Sequence, residues 1–355
     1  MEAPLYALII AGGVGARFWP RSRKAQPKQC MSLDGGPTLI QRTLSRLEPL
    51  IPAERVFVVT AQDMAPLIRE QLPQLPADQV LVEPMGRNTA AAVGWGTLEI
   101  ARRAKGQDPI IAVLPADHLI QDTAELRSLL ADCAQAAEQT HSLITLGIQP
   151  TRPETGFGYL ELGPLVGDFG EHRFHVVERF VEKPKLDRAQ QYLAGGRHLW
   201  NAGMFVFTAE VCRDAFRTHL PSTWGWMETL RHSPERLEEI YPQLEKVSFD
   251  VGIMERAANV LTVPASMGWS DLGSWEAVAE HLPEQPGGVG VGDIVAVDAQ
   301  NNVVHAPGKT VALLGVNGLV VVDTGDALLV CPKDQAQRVR ELHAALLEQG
   351  KEGLL

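Results

Sequence analysis

The chain has 355 residues, 45% of them hydrophobic and 21% charged, with a formal net charge of −11. That is ample material for one large core, or for a large core with a smaller companion. The acidic balance argues against the broad basic face that nucleic-acid binding needs, so a local cluster of positive charge must have its own reason.

Four cysteines, at 30, 133, 212 and 331, form no CxxC pair. This argues against a disulfide scaffold or a zinc site and suits a reducing cytoplasm. Glu2 stands where a signal peptide would carry basic residues. No stretch approaches the roughly 20 apolar residues of a membrane span. The expectation is a soluble cytoplasmic protein, with neither membrane nor nucleic acid as a partner.

In chain order, "YALII", "RVFVVT", "VLVEP", "IIAVLP" and "SLITLGI" read as buried strands. Between them, "TLIQRTLSRL", "NTAAAVGWGTLEIARRA" and "TAELRSLLADCAQAAEQ" carry helical spacing. This alternation predicts an α/β fold, a Rossmann-like mostly parallel sheet built from right-handed βαβ units. Further on, "GYLEL", "FHVVERFVEKP" and "LWNAGMFVFT" are strands with few helices between them, as expected of an inserted or added sheet that lines a pocket. The glycine- and proline-rich "PEQPGGVGVGD" (283–293) reads as a linker. Beyond it come five short strands, "IVAVD", "NNVVHA", "TVALLG", "GLVVVD" and "ALLVC", and a closing helix from about 333 to 349. The predicted boundaries are a catalytic domain over 1–283 and a small β-rich, solenoid-like domain over 284–355.

The first strand breaks into "AGGVGARFWPRSRKAQPKQC", which gathers Arg17, Arg21, Arg23, Lys24 and Lys28 on one loop. Glycines after a strand let backbone amides approach phosphate oxygens, because no Cβ stands in the way. The Walker pattern GxxxxGK[ST] is absent. The dinucleotide pattern GxGxxG fails because its third glycine falls on Phe18. What remains is Gly12, Gly13 and Gly15 followed by Arg17, with Lys28 further along and prolines at 20 and 27 that forbid helix. Arg17 can fork onto a polyphosphate while Lys28 adds a point charge.

These residues resemble the sugar-1-phosphate nucleotidylyltransferases, and more narrowly the mannose-1-phosphate guanylyltransferases. The resemblance extends in family order through "EPMGRNTAAAVG", "LPADHLI", "TGFGYLE", "FVEKP", "WNAGMFVF" and "GWSDLGSW". Cys30 departs from it, standing where the family usually has a large apolar residue; the expected effect is on packing alone.

The resemblance implies attack of a sugar-1-phosphate oxygen on the α-phosphorus of a nucleoside triphosphate, with Arg17, Lys28, Asp117 and Asp271 as catalytic residues. The nucleophile is already an anion at neutral pH, so no general base is required and the work is positioning and charge neutralisation. Read from residues alone, Asp117 fits a turn and Asp271 a helix cap as well as they fit a cation site. By resemblance both are ligands of Mg²⁺. Nucleotide binding is implied for Gly12, Gly13, Gly15, Arg17, Lys28, Asp117, Arg87, Asn88 and Thr89, the last three opening a helix whose first-turn amides are expected to be free. Small Ala90 to Ala92 are expected to allow close approach of the nucleotide. For the sugar phosphate the candidates are Gly158, Glu182, Lys183 and Asn201.

The expected partners are therefore GTP and mannose 1-phosphate, with GDP-mannose and pyrophosphate as products. Two alternatives stay open: another pair such as glucose 1-phosphate with UTP or dTTP, and a non-catalytic regulatory paralogue that binds nucleotide sugar. The second would be expected to lose the charge-handling residues that this chain keeps. The tail resembles the short left-handed β-helix of some relatives, which often joins subunits, so a homodimer is expected. Larger relatives add a cupin isomerase domain; 355 residues leave no room for one, and a single activity is expected.

Overall fold

The computed structural model describes residues 3–13 and 15–355, so the reading placed on Glu2 lies outside the described residues. The strands are β1 (Leu5–Ala11), β2 (Val56–Ala61), β3 (Val80–Glu83), β4 (Ile110–Pro115), β5 (Leu119–Ile120), β6 (Leu143–Ile148), β7 (Tyr159–Phe169), β8 (His172–Val181), β9 (His198–Thr208), β10 (Val260–Ala265) and β11 (Trp269–Ser270). They continue as β12 (Glu284–Gln285), β13 (Gly288–Val297), β14 (Asn302–Leu314), β15 (Leu319–Asp323) and β16 (Leu328–Pro332). The chain divides into two compact units. The first runs to Gly12 and adds Leu44–Ala116 and Ile120–Trp269; the second comprises Gly13–Thr43, Asp117–Leu119 and Ser270–Leu355.

The first unit is a nine-stranded sheet in the order β3-β2-β1-β4-β9-β6-β10-β8-β7. β1, β2, β3 and β4 are parallel, and so are β6 and β10. Their apolar runs are buried along most of their length, as strands covered on both faces require. This is the mostly parallel core expected. The separate middle sheet is not found. β9 inserts antiparallel between β4 and β6, while β8 and β7 extend the same sheet antiparallel from β10. A period-2 reading shows that such segments are strands, but it carries no information about which sheet they join.

Helix Asn88–Arg103 packs on this sheet. Ala90, Ala91 and Ala92 are all buried in the core, beside Leu8 and Phe57. A Cβ added at Gly96 would come within 2.5 Å of Leu8. The small residues therefore serve helix–sheet packing, not the approach of a nucleotide.

The second unit carries a five-stranded sheet, β12-β13-β14-β15-β16. β13, β14 and β15 run parallel, with Ile294 opposite Val311 and Val303 opposite Val320. Each of these strands thus lies on the next, one coil later. Two of the five expected strands, "NNVVHA" and "TVALLG", are joined as the single strand β14. The expected linker is also strand, and its glycines have a steric reason. A Cβ at Gly288 would sit 2.0 Å from the carbonyl oxygen of Asn302, and one at Gly290 would sit 2.1 Å from that of Val304. The closing helix begins as a 3₁₀ turn, Lys333–Arg338, and continues as Val339–Glu348.

The opening loop belongs to this same unit. Phe18, Trp19, Met31 and Leu39 share one buried core with Trp275, Val303, Val320 and Val339. Trp19 Nε1 donates to the carbonyl oxygen of Leu354 at 2.9 Å. Arg23 grips both carboxylate oxygens of Asp326 at 2.5 and 2.7 Å, and Arg21 lies 3.3 Å from His305 Nε2. Cys30 is buried in its place, its thiol pushed up to about 11 by burial, a packed and unreactive group.

Candidate active site

The loop after β1 folds as two 3₁₀ turns, Ala16–Phe18 and Lys28–Cys30, with the prolines between them. Gly15 makes the first turn possible. Its φ of 76° lies in the left-handed region, and a Cβ there would be 2.6 Å from Lys28 Cβ. A Cβ at Gly13 would meet nothing within 4 Å, and one at Gly12 would make only an ordinary contact, 3.9 Å from Glu83 Oε2. Backbone at these two positions is therefore not crowded by the described residues.

Within the second unit a pocket of about 370 Å³ is lined by Arg17, Lys28, Asp117, Asp271 and, from the closing helix, Arg340. The four residues assigned to catalysis thus meet. Lys28 is buried, and its ammonium donates to Asp117 Oδ2 at 2.7 Å and to the Asp271 carbonyl oxygen at 2.7 Å. Its charge also sits 5.4 Å from the Phe18 ring centre. Burial pushes the Asp117 carboxyl up, but the charges of Lys28 and His118 and the Lys28 hydrogen bond outweigh it and hold the group below the usual carboxylate range. Asp117 is an anion at neutral pH.

Asp271 is not the cap of the helix that follows. That role falls to Ser274, whose Oγ accepts from Ala277 N at 3.4 Å. Asp271 Oδ1 instead accepts from Gly273 N at 3.0 Å, closing a tight turn that holds the carboxylate at the pocket. Arg17 makes no hydrogen bond or ion pair to another described residue. Among the described residues no group of three or more His, Cys, Asp or Glu side chains is arranged to hold a metal ion. Two carboxylates on one pocket still fit Mg²⁺, which takes one or two carboxylates and fills its remaining positions with phosphate oxygens and water.

The other assigned residues lie in the first unit. At the start of helix Asn88–Arg103 the amides expected to be free are partly engaged. Asn88, at a φ of 65°, accepts from Thr89 N at 2.8 Å, and Ala90 N donates to the Val247 carbonyl oxygen at 3.2 Å. Thr89 Oγ1 accepts from Phe249 N at 2.8 Å, and Arg87 donates to the Pro242 carbonyl oxygen. These contacts fix the turn, and the exposed Asn88 side chain is what it presents outward.

The sugar-side residues do converge. Asn201 N donates to the Gly158 carbonyl oxygen at 2.8 Å. A Cβ on Gly158 would fall 2.6 Å from Glu182 Oε2, so glycine is what leaves room for that carboxylate. Lys183 pairs with Glu182 at 2.8 Å, from a backbone φ of 49°. Asn201 Oδ1 accepts from Thr145 Oγ1 at 2.8 Å and Gly203 N at 3.1 Å, which fixes which end of the amide is oxygen. Its Nδ2 donates to Asp250 Oδ1 at 2.9 Å. Asp250 was not among the sequence-predicted residues. Burial first, and the Glu182 charge second, push its carboxyl up to about 6. The sequence signal available was weak, a lone acid in the apolar run "FDVGIM".

A larger cavity, about 480 Å³, lies among helices of the first unit and holds none of the assigned residues. Its arginines, Arg102, Arg213 and Arg231, are each paired with a glutamate one helical turn away.

A basic glycine loop next to two carboxylates, on a chain with a mostly parallel sheet, is the equipment of a nucleotidyl transferase, and the model of that family matches residues 6–285. Residues 292–346 match the MannoseP isomerase/GMP-like beta-helix domain. The chain is 34% identical to mannose-1-phosphate guanylyltransferase 2 of Escherichia coli O157:H7, over 96% of this chain and 73% of that one. It is also 34% identical to the mannose-1-phosphate guanylyltransferase of Escherichia coli strain K12, over 99% of this chain and 75% of that one. A crystal structure described as a mannose-1-phosphate geranyltransferase from Thermus thermophilus superposes with a TM-score of 0.86. It is 40% identical and covers 96% of this chain and 99% of its own. The protein is a nucleotidyltransferase enzyme. The chain belongs to the mannose-1-phosphate guanylyltransferase family.

Proposed function

We propose that this enzyme joins GTP and mannose 1-phosphate into GDP-mannose, releasing pyrophosphate. The observation that carries the reading is the Lys28 ammonium held between Asp117 and the Asp271 backbone on a pocket that also receives Arg17. A phosphomonoester oxygen attacks the α-phosphorus, the bond from that phosphorus to the bridging oxygen breaks, and pyrophosphate leaves with the electron pair. The dianionic nucleophile has no proton to lose, so the residues supply charge and position. Arg17 and Lys28 compensate the triphosphate, the backbone about Gly12 and Gly13 leaves room for its oxygens, and Gly15 binds the nucleotide through the turn that sets Arg17 and Lys28. Asp117 and Asp271 would hold Mg²⁺, whose chemistry there is to neutralise phosphate oxygens. Arg87, Asn88 and Thr89 serve the guanine nucleotide. Gly158, Glu182 and Asn201 serve the sugar hydroxyls, with Lys183 on the sugar phosphate.

Second copies of the chain and a cytoplasmic setting complete the reading. Val295, Val297, Leu314, Leu328 and Val330 are large apolar residues that the β-rich domain leaves exposed, surface that a homodimer would cover. All four cysteines are free, as a reducing compartment favours, and no helix of the described residues is long and apolar enough to cross a membrane. The test is a panel of four triphosphates against mannose 1-phosphate and glucose 1-phosphate, read by pyrophosphate release. Mannose 1-phosphate with GTP should exceed every other pair; preference for glucose 1-phosphate with UTP or dTTP would replace the substrates named here.

A further inference from the structure

The pocket that receives Arg17 and Lys28 also receives a residue from the far end of the chain. Arg340 is the second residue of helix Val339–Glu348. Its neighbour Val339 is 3% exposed and shares a core with Phe18 and Trp275. That burial fixes the start of the helix against the turn Ala16–Phe18, and the next residue along lines the pocket. The Trp19 bond to Leu354 fastens the segment after the helix to the same loop. Arg340 is exposed and makes no hydrogen bond or ion pair to another described residue. Arg338, two residues earlier, behaves differently, since it is engaged by Glu341 at 2.9 Å.

The charge of the pocket gives Arg340 a task. Lys28 already faces one carboxylate at 2.7 Å, and Asp271 adds a second negative charge. Against a triphosphate, Arg17 and Arg340 are two guanidinium groups at this pocket that make no hydrogen bond or ion pair to another described residue. A guanidinium forks onto two phosphate oxygens and keeps its charge at every working pH. We infer that Arg340 of the β-rich domain binds the phosphates of the nucleotide that leave as pyrophosphate, and so makes that domain part of the active site. The inference rests on the pocket being the polyphosphate site, and it is independent of which base and which sugar the enzyme takes.

The experiment uses the full chain with Arg340→Ala, Arg340→Lys and, as a control on the same helix, Arg338→Ala. Binding of inorganic pyrophosphate with Mg²⁺ is measured by calorimetry. Steady-state rates are measured with whichever substrate pair the unaltered enzyme turns over fastest. Arg340→Ala should weaken pyrophosphate binding and lower kcat/KM for the triphosphate by about 10- to 100-fold, the range for a lost charge-assisted contact. KM for the sugar phosphate should stay within about twofold, Arg340→Lys should recover part of the loss, and Arg338→Ala should match the unaltered enzyme. Unchanged pyrophosphate binding and triphosphate kinetics in Arg340→Ala would overturn the inference, and so would an equal loss in Arg338→Ala. Absence of pyrophosphate binding in the unaltered enzyme would remove the pocket itself as a phosphate site. A different preferred substrate pair with the Arg340 effect intact would revise the substrates alone.

Discussion

Lys28 and Asp117 hold one another, so each substitution tests both charge and structure. Lys28→Ala should slow turnover by about 100- to 1,000-fold, the cost of removing an oxyanion contact, and Lys28→Arg should restore only part, because a planar fork does not replace a compact ammonium. Asp117→Asn and Asp271→Asn keep shape but lose the charge a hard cation needs. The thermal midpoint of Asp271→Asn should stay near that of the unaltered protein, while that of Asp117→Asn should fall because the buried Lys28 ammonium loses its carboxylate. In both, activity should collapse and the Mg²⁺ requirement rise, and near-normal activity at unchanged Mg²⁺ would return that aspartate to a structural role. Asp250 gives a signature of opposite sign to an ordinary salt-bridged acid. Its carboxyl is raised to about 6, next to Glu182, Lys183 and Asn201, so between about pH 4 and 6 the folded state binds more protons than the unfolded chain. Stability from this group therefore falls as pH rises through that window. Asp250→Asn should gain thermal midpoint over the unaltered protein at pH 7, and that gain should shrink steadily below pH 6 and be lost by about pH 4. At this scale the sequence was informative where a charge stands in a dense motif, as with Lys28, and uninformative where a lone acid such as Asp250 gains its meaning from Asn201 and Glu182, distant in the chain.

Elements place these groups by steric exclusion as much as by attraction. Gly15 turns the loop at a φ of 76°, with Lys28 Cβ only 2.6 Å from where its own would be. Gly15→Ala should displace Lys28 and lower both stability and rate, the backbone part alone costing about 1–2 kcal/mol. Gly158→Ala should crowd Glu182 and raise KM for the sugar phosphate while leaving KM for the triphosphate nearly unchanged; equal effects on both substrates would mean a general loss of structure. The same kind of contact explains what sequence reading got wrong. Apolar periodicity marked the strands of the parallel core, because burial on both faces leaves unbroken apolar runs. The glycines of 286–292 looked like a linker, because the carbonyl oxygens of Asn302 and Val304 that exclude a Cβ at Gly288 and Gly290 belong to a later strand. Ala90 to Ala92 likewise looked open to a ligand, since their burial depends on strands far off in sequence.

Across the whole molecule, the β-rich tail and the opening loop fold as one unit, so the tail is not an appendage that chemistry can spare. Ending the chain near Gly287 would strip the partners of Phe18 and Trp19 from their shared core. The truncated protein should lose its thermal midpoint and its pyrophosphate release together, and should self-associate less or precipitate. Full stability, unchanged size in solution and full activity after that cut would refute the account. Aspartate in place of the exposed Val295 or Val330 should instead lower dimer content in sedimentation and leave the monomer folded.

Arg23 and Asp326 carry a consequence for how such enzymes diversify. Arg21 and Arg23 sit inside a motif that reads as substrate machinery, yet their side chains engage His305, Asp326 and Thr324 from the tail. Positions 21 and 305, and 23 and 326, should therefore change in concert among related sequences. A tail transplanted from a distant relative should work only when it brings compatible residues at those two places. Exchanging the charges, Arg23→Asp together with Asp326→Arg, should rescue what either change alone impairs. Part of what makes the motif recognisable is thus the memory of a partnership between two ends of one chain.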